Sequence, residues 1–252
     1  MFTVGEIAAL LDEKFPSDTA LSFDNVGLLV GRKEKIVRKV LVALDVTTEV
    51  VREAKELSAD LIVSHHPVIF REMKKVTDES YTGTVVLSLV ENGLSVISLH
   101  TNYDRADEGN NYNFARKLGA RDFTLTEDGF AVEYETERAM PLEEFARLVR
   151  SALSDSAIRT IGSGEVKKVI AACGAGISEG LILRAKETGA VIVTADVKHN
   201  YASMAADLGV RIVETTHYAS EWAFVKSMAD FLAERLDGVE VLTSRHNINP
   251  YA

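Results

Sequence analysis

The sequence predicts an α/β protein of two similar βαβ-type units with mixed, mostly parallel sheets. Three observations lead there. Short apolar runs, such as residues 61–63 and 191–193, alternate with helical patterns, and a run that is apolar throughout suits a strand buried on both faces of a parallel sheet. The two halves of the chain also match each other segment by segment. Finally, histidines stand at the ends of the apolar runs, where open α/β sheets place their ligands.

In chain order, Thr3 and Glu6 form a capping box ahead of Ile7, Leu10 and Leu11, which predicts a helix over residues 4–14. Ser22-Phe23-Asp24-Asn25-Val26-Gly27 reads as a turn leading into Leu28-Leu29-Val30. Residues 39–44 read as a strand, 45–48 as a turn with an N-cap and 49–57 as a helix. The next strand ends at the adjacent pair His65 and His66, followed by Pro67. Neighbouring side chains on a strand point to opposite faces. Both imidazoles therefore converge only if the strand has ended or if two metal ions lie between them, and Pro67 favours an ended strand. Taken alone, the pair is equally well read as turn histidines bonded to backbone.

A basic loop over residues 69–77 and a helix over 81–92 lead to an apolar strand over 94–99 that ends at His100, with Asp104 four residues on. Asp107-Glu108-Gly109-Asn110-Asn111 opens a helix to residue 118. A strand over 129–134 and a helix over 140–153 follow, with Pro141 near the helix start. The strand over 168–173 ends in Gly174-Ala175-Gly176, and a helix over 181–188 feeds the strand 191–194. After Asp196, Lys198 and His199 comes a helix ending at Gly209. Residues 210–213 run up to His217, Glu221 opens a long helix to residue 236, and 239–242 form a last strand. The tail from Thr243, His246 included, is polar. The first unit is expected over residues 1–125, completed by the C-terminal helix and strand, and the second over 126–252.

Composition bounds the function. A chain of 252 residues is long enough for one large or two ordinary domains, and 46% hydrophobic with 26% charged residues is a globular composition. No apolar run approaches the roughly 18 residues of a membrane span. Met1-Phe2-Thr3-Val4-Gly5-Glu6 lacks the basic region and apolar core of a signal peptide, so a cytoplasmic location is expected. The single cysteine, Cys173, excludes an internal disulfide and suits a reducing compartment. A net charge of −10 argues against nucleic acid or a membrane surface as partner. A small anionic substrate would need a local cluster of Lys or Arg.

The internal match aligns Lys39-Val40-Leu41-Val42-Ala43 with Lys168-Val169-Ile170-Ala171-Ala172, and Ala54-Lys55-Glu56 with Ala185-Lys186-Glu187. It aligns Leu61-Ile62-Val63-Ser64 with Val191-Ile192-Val193-Thr194, and Gly93-Leu94-Ser95-Val96-Ile97 with Gly209-Val210-Arg211-Ile212-Val213. Each set is a right-handed βαβαβ unit. Units of this kind share composition by chance, but the match also pairs His100 and Asp104 with His217 and Glu221, a His-x-x-x-carboxylate at the same strand exit.

If the units pack face to face around a metal cleft, His65, His66, Asp104, His217 and Glu221 meet there. Imidazole with carboxylate and no thiolate suits Zn, Fe, Mn, Ni or Co. Five protein ligands are too many for one catalytic ion with an open position, and they fit two divalent metal ions per chain. Such a pair activates water at neutral pH, so water attack is the expected chemistry. At the start of a helix, the Glu221 carboxylate would be favoured by the helix dipole. His100 is either a sixth ligand or a group that positions Asp104 or carries a proton, and the second reading is adopted. His199 is either a substrate contact or a polar residue that starts a helix.

With His65-His66-Pro67, His100-Thr101-Asn102-Tyr103-Asp104 and His217-Tyr218-Ala219-Ser220-Glu221 in place, the sequence resembles the GTP cyclohydrolase 1 type 2 homologue family over nearly its full length. Phe23-Asp24-Asn25-Val26-Gly27 is similar to that family's Trp-Asp-Asn-x-Gly segment, with Phe for Trp. Thr194-Ala195-Asp196 resembles its Thr-Gly-Asp turn, with Ala for Gly. The resemblance implies a dinuclear metal site on His65, His66, Asp104, His217 and Glu221, and a ring-shaped homohexamer. The short span between Leu118 and Lys168 marks a compact form without the extra middle domain that some members carry. Position 195 and the lone His199 depart from the family on the substrate side, not in the ligand set.

Two classes of function follow. As an enzyme, the chain would open the imidazole ring of GTP by attack of metal-activated water on C8, with His100 as the catalytic proton carrier. Its triphosphate would draw on Arg71, Lys74, Lys75, Arg105 and Lys198, the cations nearest the ligands in sequence, with His199 a further contact. Singly, each is an ordinary surface charge. Gly174-Ala175-Gly176 either cradles a phosphate or is a plain turn. A broader enzyme reading is a metal phosphohydrolase on another phosphate ester. The competing class is a non-catalytic metal-binding oligomer that stores or delivers metal, or a regulatory scaffold.

Overall fold

A computed structural model of the chain describes residues 1–246 and 249–251. Two compact units form, Met1–Tyr103 with Phe224–Ile248 and Asp104–Ala223 with Asn249–Ala252.

The first unit opens with β1 (Phe2–Thr3), α1 (Val4–Lys14), β2 (Gly27–Val30) and β3 (Ile36–Val37), and continues through β4 (Lys39–Ala43), α2 (Thr48–Glu56), β5 (Leu61–Ser64), α3 (Tyr81–Glu91) and β6 (Ser95–Ser98). The capping box of α1 is present in both directions between Thr3 and Glu6, and Ile7 and Leu11, one turn apart, are buried. Thr47 caps α2 and Ser80 caps α3 by accepting from backbone N–H groups. Every residue of β5 and β6 is buried, as expected of strands covered on both faces. The chain leaves this unit within α4 (Thr101–Asp104).

The second unit contains α5 (Asn110–Lys117), β7 (Phe123–Leu125), β8 (Val132–Pro141), α6 (Leu142–Leu153), β9 (Arg159–Ile161), β10 (Glu165–Ala171), α7 (Glu179–Thr188), β11 (Val191–Thr194), α8 (His199–Asp207), β12 (Arg211–Glu214) and α9 (His217–Glu221). The chain returns through α10 (Ala223–Arg235) to β13 (Glu240–Thr243), which completes the first unit.

The first sheet has the order β13-β4-β5-β6-β2, parallel except for β2, which runs antiparallel to β6. The second has the order β7-β8-β10-β11-β12-β9. Here β10, β11 and β12 are parallel, and β8 and β9 flank them in the antiparallel sense. The expected βαβαβ core therefore stands in each unit, as β4-α2-β5-α3-β6 and β10-α7-β11-α8-β12.

The crossing between units falls after Tyr103, not near residue 125. The physical reason is α5, whose Phe114 and Ala115 are buried in the same apolar cluster as Val132, Val169 and Val193 of the second sheet. Glu221 also differs from its expected place, since it closes α9 instead of opening a helix. Its position comes from i, i+4 spacing to His217, not from a helix amino end. Among the described residues, no helix is long and apolar enough to cross a membrane.

Candidate metal centre

In the first unit, β5 ends at Ser64 and the chain bends at His65 and His66. The bend lets adjacent residues present their rings together, with centroids 4.8 Å apart. His65 is fully buried, and its Nδ1 lies 2.8 Å from the Leu99 carbonyl oxygen. A carbonyl only accepts, so Nδ1 carries the proton and the Nε2 lone pair is left for another partner. His66 Nδ1 lies 2.7 Å from Asp45 Oδ1, at the exit of the neighbouring strand β4.

His100 follows β6, and its Nδ1 lies 2.8 Å from Asp24 Oδ1. Thr101 donates to the other Asp24 oxygen through both its N–H, at 3.0 Å, and its hydroxyl, at 2.5 Å. Burial pushes the Asp24 carboxyl upward, but the bonds from His100 and Thr101 outweigh it and hold the group well below the usual carboxylate range. His65, His66 and His100 each offer a ring nitrogen within 4.8 Å of the others, so this trio alone could hold a metal.

In the second unit, Thr216 caps α9 and His217 and Glu221 stand one turn apart on its surface. His217 Nε2 lies 3.0 Å from Glu221 Oε2, and His217 Nδ1 lies 2.7 Å from Asp196 Oδ2. A carboxylate oxygen of Asp104 lies within 4.8 Å of one from Glu221. Both acids are buried, at 9% and 2% exposure. Two carboxylates this close and this dry are unfavourable unless a cation compensates them. Together with imidazole they form a hard-to-borderline donor set, which fits a divalent transition metal.

Cys173 places its thiol 3.7 Å from Asp104 Oδ1. Burial first, then the charges of Asp104 and Glu221, raise its pKa well above the ordinary thiol value. Gly174 has φ +55°, and a Cβ there would stand 2.2 Å from Glu221 Oε1 and 3.2 Å from His217 Nε2. The glycine thus lets the backbone approach the acid, and its N–H is fixed by the Ser220 hydroxyl at 2.9 Å.

The expected substrate contacts Arg105, Lys198 and His199 all belong to the second unit. Arg105 is half-buried, with its guanidinium 5.3 Å from the Phe130 ring centre. Lys198 and His199 are exposed at the start of α8, where Lys198 lines a cavity with Asp196 and Arg159. His199 joins none of the metal-ligand groups found among the described residues. Sequence reasoning did not single out Asp45 or Asp196 as partners of the ligands. The signal was there in an acid at the exit of the strand preceding each histidine strand.

Fold and donor groups define a class: a two-unit α/β protein whose mostly parallel sheets carry imidazole and carboxylate groups of metal-ligand type at their strand exits. The chain belongs to the Duf34/NIF3 (NGG1p interacting factor 3) family, whose sequence profile matches residues 2–250. It is 33% identical to a GTP cyclohydrolase 1 type 2 homolog of Clostridium perfringens, over 98% of each chain. It is 31% identical to the GTP cyclohydrolase 1 type 2 of Helicobacter pylori, over 92% of each. Among solved structures it is similar to the hypothetical protein SA1388 of Staphylococcus aureus, with TM-score 0.91 and 29% identity, over 100% of this chain and 99% of that one. It is also similar to reduced HcgD from Methanocaldococcus jannaschii, with TM-score 0.83 and 26% identity, over 96% and 97%.

Proposed function

We propose that this protein is a divalent-metal-dependent hydrolase in which His65, His66, Asp104, His217 and Glu221 hold two ions drawn from Zn, Fe, Mn, Ni or Co. The substrate is a small anion of the purine nucleotide class, with GTP the first candidate. Two ions in such a site would lower the pKa of a water and so supply the nucleophile at neutral pH. Attack at C8 of the purine opens the imidazole ring to a formamide, and hydrolysis by a second water releases formate. His100, outside the five-residue ligand set and with its Nδ1 held by Asp24, is the proton carrier in this reading.

The observation that carries this reading is the state of the imidazoles. His65, His66 and His217 each have Nδ1 within 2.8 Å of an oxygen, the arrangement by which proteins orient histidine toward a metal. The likeness to the Helicobacter pylori GTP cyclohydrolase 1 type 2 supports the choice of substrate. A ring-shaped homohexamer acting in the cytoplasm belongs to the same proposal and rests on the family resemblance.

A second reading is a non-catalytic metal carrier or scaffold, favoured by relatives that bear the name "homolog" and not an enzyme name. One experiment separates the two. Purified protein loaded with each metal is incubated with GTP, and formate and residual GTP are measured. Formate release that disappears in Glu221→Gln supports the hydrolase. Two bound ions per chain with no loss of GTP supports the carrier.

A further inference from the structure

We infer that Phe23, Phe70, Arg71 and Lys75 form the seat of the ligand, with the two phenyl rings taking a flat heteroaromatic ring and the two cations taking its anionic tail. The inference deepens the hydrolase reading and rests on it for the choice of purine.

Phe23 and Phe70 are exposed at 63% and 42%, although large apolar side chains are ordinarily buried. Their ring centres lie 6.2 Å apart at 76°, and Phe70 stands 5.8 Å from the His100 ring at 88°. Phe23 directly precedes Asp24, the partner of His100, and Phe70 lies four residues after His66. An exposed aromatic pair that reaches from solvent to the imidazole trio offers the π-face and edge that a heteroaromatic ring uses.

Phe70 also forms part of the wall of a cavity of about 620 Å³, together with His66, Arg71 and Lys75. That volume falls within the range of small-molecule sites, roughly 300–1,000 Å³. No ion pair engages Arg71 or Lys75 among the described residues, whereas Lys35 pairs with Asp60 and Lys39 with Glu240. Of the two acids in the same wall, Asp45 is taken by His66, and Glu72 remains. The N-cap residues Thr47 and Ser80 stand there too, so the amino ends of α2 and α3 add positive potential. The ring platform and the cation pair thus share Phe70, and His66 of the imidazole trio lines the same cavity as the cations.

The test separates ring from tail. Binding of GTP, guanosine and inorganic triphosphate to the metal-loaded full chain is measured by calorimetry. The variants are Phe23→Leu, Phe70→Leu and the double variant Arg71→Gln with Lys75→Gln, all at exposed positions. The expected result is that each Leu variant weakens GTP and guanosine about tenfold and leaves triphosphate unchanged. The cation variant should weaken GTP and triphosphate about tenfold and leave guanosine unchanged. The inference is overturned if the parent binds none of the three probes, or if either class of variant leaves its own probe unchanged. Formate release with an unaltered KM in every variant removes the seat and keeps the hydrolase. The expected binding pattern without formate keeps the seat and removes the hydrolase.

Discussion

Asp196 lies 21 residues before His217 and holds its Nδ1 at 2.7 Å, and Asp45 holds His66 Nδ1 at the same distance over the same 21-residue spacing. In both units the acid leaves one parallel strand and the histidine leaves the next. The acceptor fixes the tautomer and raises ligand basicity, so Asp45→Asn and Asp196→Asn should each weaken metal binding about 10–100-fold while leaving every ligand in place. Competition against a chromophoric chelator measures this. Unchanged affinity in both variants would show that the acids only pack against the rings.

Gly174→Ala tests how tightly the backbone approaches Glu221. The new Cβ meets Glu221 Oε1 at 2.2 Å, and the positive φ of 55° disfavours any L side chain. The left-handed conformation alone costs about 1–2 kcal/mol. The expected outcome is a lower melting temperature together with a reduced metal content, because the carboxylate must move. Gly189→Ala, also at positive φ but with nothing within 4 Å of its Cβ, should lower the melting temperature and leave the metal content intact.

The two Asp–His pairs also show what was legible in the sequence. The βαβαβ core and the His-x-x-x-carboxylate pairs could be read because buried parallel strands are continuous apolar runs, and i, i+4 spacing is local. The Asp–His pairs could not, because they join side chains across neighbouring strands, and strand register is set by hydrogen bonding that no local pattern reports. The internal match set β4 against β10, whereas the Asp–His pairs relate β4 and β5 to β11 and β12, one strand along. The edge strands β7 and β9 escaped for a similar reason. They are only three residues long, and their partners β8 and β12 fix them, not their own alternation.

Asp155 gives a prediction about pH. It is 2% exposed, and its Oδ2 accepts from the Thr215 hydroxyl at 2.6 Å and the Thr216 N–H at 2.7 Å, while Oδ1 accepts from the Ala157 N–H at 3.0 Å. Burial raises its pKa, but these bonds prevail and hold it below the ordinary value. The folded pKa is therefore depressed, so the stability it contributes is fully present above the unfolded value of about 3.9 and is lost as pH falls through the folded value. Asp155→Ala should cost about 2–3 kcal/mol at neutral pH. Urea unfolding should show that cost shrinking below about pH 4. A cost independent of pH down to that range would assign the loss to packing alone.

Removing metal should expose the conflict between Asp104 and Glu221. Their carboxylate oxygens lie within 4.8 Å of each other, and both residues are almost fully buried. With a cation between them each charge is compensated; without one, two like charges face each other out of water. Chelation should therefore lower the melting temperature of the parent, and excess metal should restore it, since a ligand at about 100 times its Kd adds about 2.7 kcal/mol. For a chain of this size each kcal/mol corresponds to about 2–4 °C. Glu221→Gln reverses the sign in one state only. Without metal the variant should melt at or above the parent, because the repulsion is gone, and with metal it should melt below the parent, because a ligand is lost. Differential scanning fluorimetry on both proteins, with and without chelator, reads all four values. A parent whose melting temperature does not respond to chelator or metal would show that these acids compensate their charges within the protein.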